Sequence, residues 1–347
     1  MDTARVADAP RWPVDGHDWA IAYLHKALIH GRTRHAYLIT GPEGVGKRQL
    51  AHAFAQALNC QHEDVAQRPC LQCRSCKLMA SGNHPDLIYA QNDPNSGQLK
   101  IDAIREVTRQ IALKPFDSRY RVAIFQNFDA AQPRAQDALL KTLEEPSPHA
   151  VLLLTAATAE MLLPTITSRC QVLRLRPVAA ETIAAVLRRK EAESETPLAV
   201  RDATLVARLS NGRIEWALRA LHDADVLEER AQHIDILRNV IQGNRRRRFD
   251  IAEEISNAAK NNKPALRALL ETWQTYWRDV LLAASNAEVP LTNIDMRDDL
   301  IGLANHVGVA DALQAVRATR RMMQTLSTNA QVRMGLDVML LDYPRLK

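Results

Sequence analysis

Apolar and polar positions fall into two regimes along the chain. Up to about residue 177, short apolar runs alternate with stretches whose apolar residues recur every three or four positions. The runs are Ala36–Thr40, Leu87–Ala90, Arg121–Phe125, 151–155 and 171–175. Several lack a polar alternate position, as a strand buried on both faces does. Between them, Leu50, Phe54 and Leu58 mark a helix at i, i+4 and i+8. Ile101, Ile104, Val107 and Ile111 mark another, ending before Pro115. Leu139, Leu140 and Leu143 give a third buried face, stopped by Pro146. A lead-in helix runs through Trp19, Leu24 and Leu28 to Gly31, while 91–98 reads as a loop and 117–119 as a turn. This alternation predicts an α/β domain, a parallel sheet with helices on both faces, over residues 1–177.

From residue 178 the pattern is helical only. Ile183, Val186 and Leu187 mark one short helix, and Leu205, Val206 and Leu209 a second. A break at Ser210-Asn211-Gly212 precedes a third helix at 214–221. These predict a small helical domain at 178–222. Longer patterns at 226–241, 251–261, 266–283, 312–326 and 332–341 predict an all-helical domain over 223–347. A run of four arginines, Arg245 to Arg248, follows a break at 242–244. It can touch a phosphate backbone, but the favoured reading is a solvated loop or helix start. No internal repeat is seen.

Composition adds bounds. A chain of 347 residues has room for two or three cores. A net charge of +5 is compatible with work near nucleic acid without arguing for it. No apolar run of 18 or more residues exists, and residues 1–13 are polar and mixed in charge. The expectation is a cytoplasmic protein with no membrane span.

The chemistry begins after the first strand. Gly41-Pro42-Glu43-Gly44-Val45-Gly46-Lys47 matches G-x-x-x-x-G-K, a phosphate-binding loop opening a helix. Gly41, Gly44, Gly46 and Lys47 are the candidate nucleotide-binding residues. The next residue, normally a Ser or Thr holding Mg²⁺, is Arg48. At the end of 121–125, where a nucleotide hydrolase carries adjacent carboxylates, this chain has Gln126-Asn127. Asp129 is expected to start the following helix. Four of five cysteines, Cys60, Cys70, Cys73 and Cys76, fall within 17 residues. Two overlapping Cys-x₂-Cys turns closed by Cys60 suit tetrahedral Zn²⁺, and four protein ligands make the metal structural. The alternative is a cluster of free buried cysteines. His62 and His84 lie nearby and could substitute as ligands, but the favoured reading of each is a solvated histidine.

Two further motifs complete a set. They are Leu139-Leu140-Lys141-Thr142-Leu143-Glu144-Glu145-Pro146 and Ser168-Arg169-Cys170. In order with the glycine-rich loop and the four-cysteine insertion, they resemble the bacterial clamp-loader subunits of DNA polymerase III, which are AAA+ proteins. The resemblance covers residues 20–222 well; the last third matches only in being helical, as the family's collar is. It implies a P-loop domain with a zinc module at 60–76, a lid at 178–222 and a collar at 223–347. An active motor of this family would carry an arginine where Glu215 stands. With Arg48, Gln126 and Asn127, that change implies the ATPase-silent member of the group. ATP binding is then weak or absent, and no turnover is expected from the chain alone, although it would form part of the polymerase holoenzyme. Lys47 either keeps weak phosphate binding or is a retained fold residue. Arg169 would act in trans as an arginine finger on a neighbour's ATP, oriented by Ser168. The bland alternative is a buried structural arginine paired with Glu144 or Glu145. The implied partners are gamma/tau motor subunits and a delta subunit in a hetero-pentamer, acting on a sliding clamp and primed DNA. Two rivals stand beside this reading, an active gamma/tau-like ATPase and a zinc-stabilised DNA-binding adaptor.

Overall fold

Five strands form one sheet in the order β2-β3-β4-β1-β5, every pair parallel. They are β1 (Ala36–Thr40), β2 (Leu87–Ala90), β3 (Arg121–Phe125), β4 (Ala150–Ala156) and β5 (Gln171–Arg174). The computed structural model describes residues 12–90, 92–93, 98–194, 202–260, 262–326 and 331–346. Most of the expected loop at 91–98, residues 1–11 and the expected helix end at Asn261 lie outside the described residues. The helices up to β5 are α1 (Asp18–Ile29), α2 (Lys47–Asn59), α3 (Arg74–Ala80), α4 (Ile101–Ile111), α5 (Pro133–Glu144) and α6 (Pro164–Thr167).

The central strands β1 and β4 are buried at every position because both faces are covered, while the edge strand β5 ends in an exposed Arg174. Tyr37, Ile39, Val151 and Leu153 face one core with Leu50, Phe54 and Leu58 of α2. Leu38, Leu152 and Leu154 face the other with Ile104, Val107 and Leu139. The expected α/β architecture is therefore present. In α1, Leu24 and Leu28 are buried but Trp19 is half exposed, lying off the stripe they define. Leu140 is likewise only partly buried. Asp129 does not start α5; it sits in a separate 3₁₀ turn, Phe128–Ala130, and Pro133 opens the helix.

The chain divides into two compact units: residues up to Ala179 together with Arg213–Glu215, and Ala180–Gly212 with the residues from Trp216 onward. The second contains α7 (Ala180–Glu193), α8 (Ala203–Leu209), most of α9 (Ile214–His222), α10 (Asp225–Gln242), α11 (Arg245–Ala259), α12 (Lys263–Ala284), α13 (Arg297–Thr325) and α14 (Val332–Asp342). The sequence pattern reveals only the later half of α13. Gly308, at φ 73°, interrupts it and resets the apolar stripe, although Leu300, Leu303, Ala304 and Val307 before the break are buried.

The arginine run opens α11, as a helix start would, but its fourth member is not solvated. Arg248 is 1% exposed. Its Nε donates to Val240 O at 2.9 Å, and Nη1 to Leu340 O and Tyr343 O at 2.8 and 2.7 Å. Nη2 donates to Pro344 O at 2.7 Å and Ile241 O at 3.5 Å. These carbonyls end α10 and α14, where helices leave acceptors unpaired and carry partial negative charge. One guanidinium thus closes two helix ends.

Candidate functional site

The glycine-rich loop leaves β1 at the carboxyl edge of the sheet, where ligands of open α/β folds bind. Gly41 tolerates no side chain: a Cβ there would stand 2.7 Å from Leu175 O. Gly46 caps α2 at φ 101°, in the left-handed region that glycine enters freely. Lys47 is buried, and its Nζ donates to Gly41 O and Pro42 O, both at 2.7 Å. The lysine is thus bonded to carbonyls of its own loop. Two elements from outside the motif hold this loop. His17 Nε2 donates to Val45 O at 2.6 Å, and the amide of Glu215 donates to Gly44 O at 3.0 Å. They lie 28 residues before and about 170 after the loop; the family resemblance marks Glu215, whereas nothing in the sequence points to His17.

The positions that the sequence marks for nucleotide chemistry lie beside this loop and at the end of β3. Arg48 is exposed. Burial, then the nearby Arg48 guanidinium, hold the His52 pKa below the usual histidine value. Gln126 and Asn127 directly follow β3, and the Asn127 amide donates to Thr155 Oγ1 of β4 at 3.0 Å. Asp129, the nearby acid, accepts from the Ala157 amide at 2.9 Å and so ties two loops together. Glu215 is half buried beside the loop through its backbone. A neutral amide pair supplies neither a Mg²⁺ ligand of full charge nor a base for water.

Ser168 and Arg169 form an outer corner. Pro164 opens the four-residue helix α6, and the chain turns at Ser168. Ser168 Oγ donates to Thr165 O at 3.2 Å. Arg169 Nη1 donates to the same carbonyl at 2.9 Å and to Ser168 Oγ at 3.5 Å. Its Nη2 pairs with Glu144 Oε1, at the end of α5, at 2.8 Å. The carboxylate pairing is therefore present, but the arginine side chain is 36% exposed rather than buried. An ion pair this open contributes roughly 0–1 kcal/mol and exchanges readily. Cys170 beside it is largely enclosed, and burial pushes its thiol up to about 12.

The four clustered cysteines come together. Cys60 follows α2, Cys73 caps α3 and Cys76 lies within α3. The four Sγ atoms lie within 4.8 Å of one another. Backbone amides point at the sulfurs: Cys70 N to Cys60 Sγ at 3.3 Å, Cys73 N to Cys70 Sγ at 3.4 Å, and Cys76 N to Cys73 Sγ at 3.4 Å. Such donors stabilise thiolates, the form that binds metal. Burial raises the Cys60 and Cys76 pKa values. For Cys70 burial is outweighed by the Cys73 and Gln72 amides, with Cys60 and Cys73 adding, which lower it to about 6. The set can hold a soft metal ion. His62 is exposed as expected, whereas His84 is 4% exposed and not solvated. His84 is spent on internal hydrogen bonds to Ser75, Asp86 and Ser118.

Comparison with known proteins bears on this geometry. A family model described as DNA polymerase III, delta subunit matches residues 16–179. The DNA polymerase III subunit delta' of Pseudomonas aeruginosa is 35% identical over 232 residues, 66% of this chain and 68% of its own length. The DNA polymerase III subunit tau of Bacillus subtilis is 32% identical over 213 residues, 61% of this chain but only 37% of tau. Among solved structures, a DNA polymerase III gamma subunit-related protein from Thermotoga maritima aligns over 93% of this chain and 97% of its own, at 14% identity and a TM-score of 0.41.

Proposed function

The chain belongs to the clamp-loader subunit family of bacterial DNA polymerase III, and from that premise we propose that it serves as the delta' subunit, an ATPase-silent stator of the loader. One observation carries the reading: the positions that would act on a nucleotide read Arg48, Gln126, Asn127 and Glu215, while Ser168-Arg169 is kept on an exposed corner. Residues 1–177 are then the nucleotide-fold domain, 178–222 its lid and 223–347 the collar that joins it to its neighbours. Among the described residues no helix is long and apolar enough to cross a membrane, and the proposed work is cytoplasmic.

In this reading the chain sits between a gamma/tau motor subunit and the delta subunit in a hetero-pentamer that opens a sliding clamp and closes it on primed DNA. Arg169 leaves Glu144 and turns to the phosphates bound by the neighbour. A guanidinium supplied in trans neutralises charge growing on the transferred phosphoryl group, an effect of about 10³–10⁵ in rate where GTPases have been tested. Ser168 Oγ keeps the arginine stem in register. Lys47, engaged with Gly41 and Pro42, keeps the loop's shape. Zinc at Cys60, Cys70, Cys73 and Cys76 is structural, since four thiolates leave no open coordination position.

The Arg48, Gln126 and Asn127 substitutions weigh against an active motor. The proposal is tested by reconstitution of the chain with motor and delta subunits, clamp and primed DNA. Loading is expected to require the chain. Full loading without it, or Mg²⁺-dependent ATP turnover by the chain alone, would contradict the proposal.

A further inference from the structure

Side chains from within and beside the cysteine module reach out of it, and their bonds converge on the loop between α4 and β3. Asn59, directly before Cys60, grips Tyr120 twice. Its Nδ2 donates to Tyr120 O at 2.8 Å, and its Oδ1 accepts from Tyr120 N at 3.0 Å. Ser75 lies between Cys73 and Cys76, with its Oγ 3.2 Å from His84 Nε2. The same Nε2 lies 3.2 Å from Ser118 Oγ. His84 Nδ1 accepts from the Asp86 amide at 3.1 Å, so Nε2 carries the ring proton between the two hydroxyls. Asp86, fully buried, takes the amides of Phe116 at 2.7 Å and Asp117 at 3.0 Å.

The loop has no regular structure to hold it. The amides of Phe116, Asp117 and Tyr120 and the Tyr120 carbonyl are satisfied by these partners, so much of its shape is set from outside. Two of the supports belong to the module. One is the end of α2 at Asn59; the other is α3, a seven-residue helix too short to be stable by itself. Ligation of Cys60, Cys73 and Cys76 would tie both to one point. The loop in turn shapes an outward surface. Ser118, Arg119 and Tyr120 line a cavity of about 510 Å³ with Lys114 and His149. Leu113 and Phe116 stand out from the loop, 58% and 83% exposed.

We infer that the metal module is a brace for residues 113–120: metal at the four cysteines fixes Asn59 and Ser75, and these fix the loop and the surface it presents. Metal content then sets the order of that surface. This rests on the metal part of the proposed function, but not on the assignment as delta'.

Hydrogen exchange by mass spectrometry on the full chain tests it, with metal measured in every sample. Metal-free wild-type chain as purified would overturn the metal reading itself. With about one zinc per chain, removal by chelator or by Cys73→Ser is expected to speed exchange across 113–120 about ten-fold, the loss of one or two hydrogen bonds. Peptides of β3 and β4 stay protected. Unchanged loop exchange, while residues 60–80 lose protection, overturns the brace. Should removal expose β3 and β4 as well, metal-loaded Asn59→Ala and Ser75→Ala chains decide. Faster loop exchange in them supports the brace, and wild-type exchange overturns it.

Discussion

The glycine-rich loop and the Ser168-Arg169 corner each present a cation, held in opposite ways. Lys47 is buried and engaged with two carbonyls of its own loop. Arg169 is part exposed, and its charge meets a carboxylate that is itself 51% exposed. Burial with fixed neutral acceptors makes a cation part of the scaffold. Exposure with an exchangeable partner leaves it free to serve another molecule. Arg248 sharpens the contrast, since the same side chain type, buried among five carbonyls, is scaffold. In the proposed function, the setting of a cation, more than its motif, separates a site kept for its shape from one kept for its reach.

The contrast breaks first at Arg169. Arg169→Ala in the reconstituted complex is expected to slow hydrolysis at the neighbouring site about 10³-fold. The isolated chain should lose no more than about 1 kcal/mol of stability, as an open ion pair implies. A urea titration beside the ATPase assay checks both halves; a large stability loss would make Arg169 a structural residue. Arg248→Met should do the reverse. Stranding buried carbonyls at two helix ends is expected to cost about 3 kcal/mol, read from the denaturation midpoint. A shift below about 0.5 kcal/mol would show that those carbonyls find water as readily as the guanidinium. The smallest effect belongs to Lys47→Ala, about 1 kcal/mol of stability from two lost hydrogen bonds, with complex turnover unchanged.

Much of this was readable beforehand, for physical reasons. The central strands stood out because both faces are buried, leaving unbroken apolar runs such as 151–155, whereas the edge strand β5, with Gln171 and an exposed Arg174, was marked only by its short apolar centre. The cysteine cluster was legible because a Cys-x₂-Cys turn brings its own ligands together without help from the rest of the fold. Contacts made across long separations were not. Arg248 looked like one of four solvated charges because its acceptors at 340–344 lie more than 90 residues away. His84 looked solvated because Ser118 reaches it from a distant loop. His17 carried no motif at all. The early half of α13 was hidden by Gly308, which shifts the apolar stripe while both halves stay helical.

The central claim is that the chain's chemistry lies at Arg169 and not at its own glycine-rich loop. ATP turnover by complexes that differ only in this subunit tests it most directly, comparing wild type, Lys47→Ala and Arg169→Ala at matched assembly. The account predicts wild-type turnover with Lys47→Ala and a large loss with Arg169→Ala. Loss with Lys47→Ala, or unchanged turnover with Arg169→Ala, would contradict it.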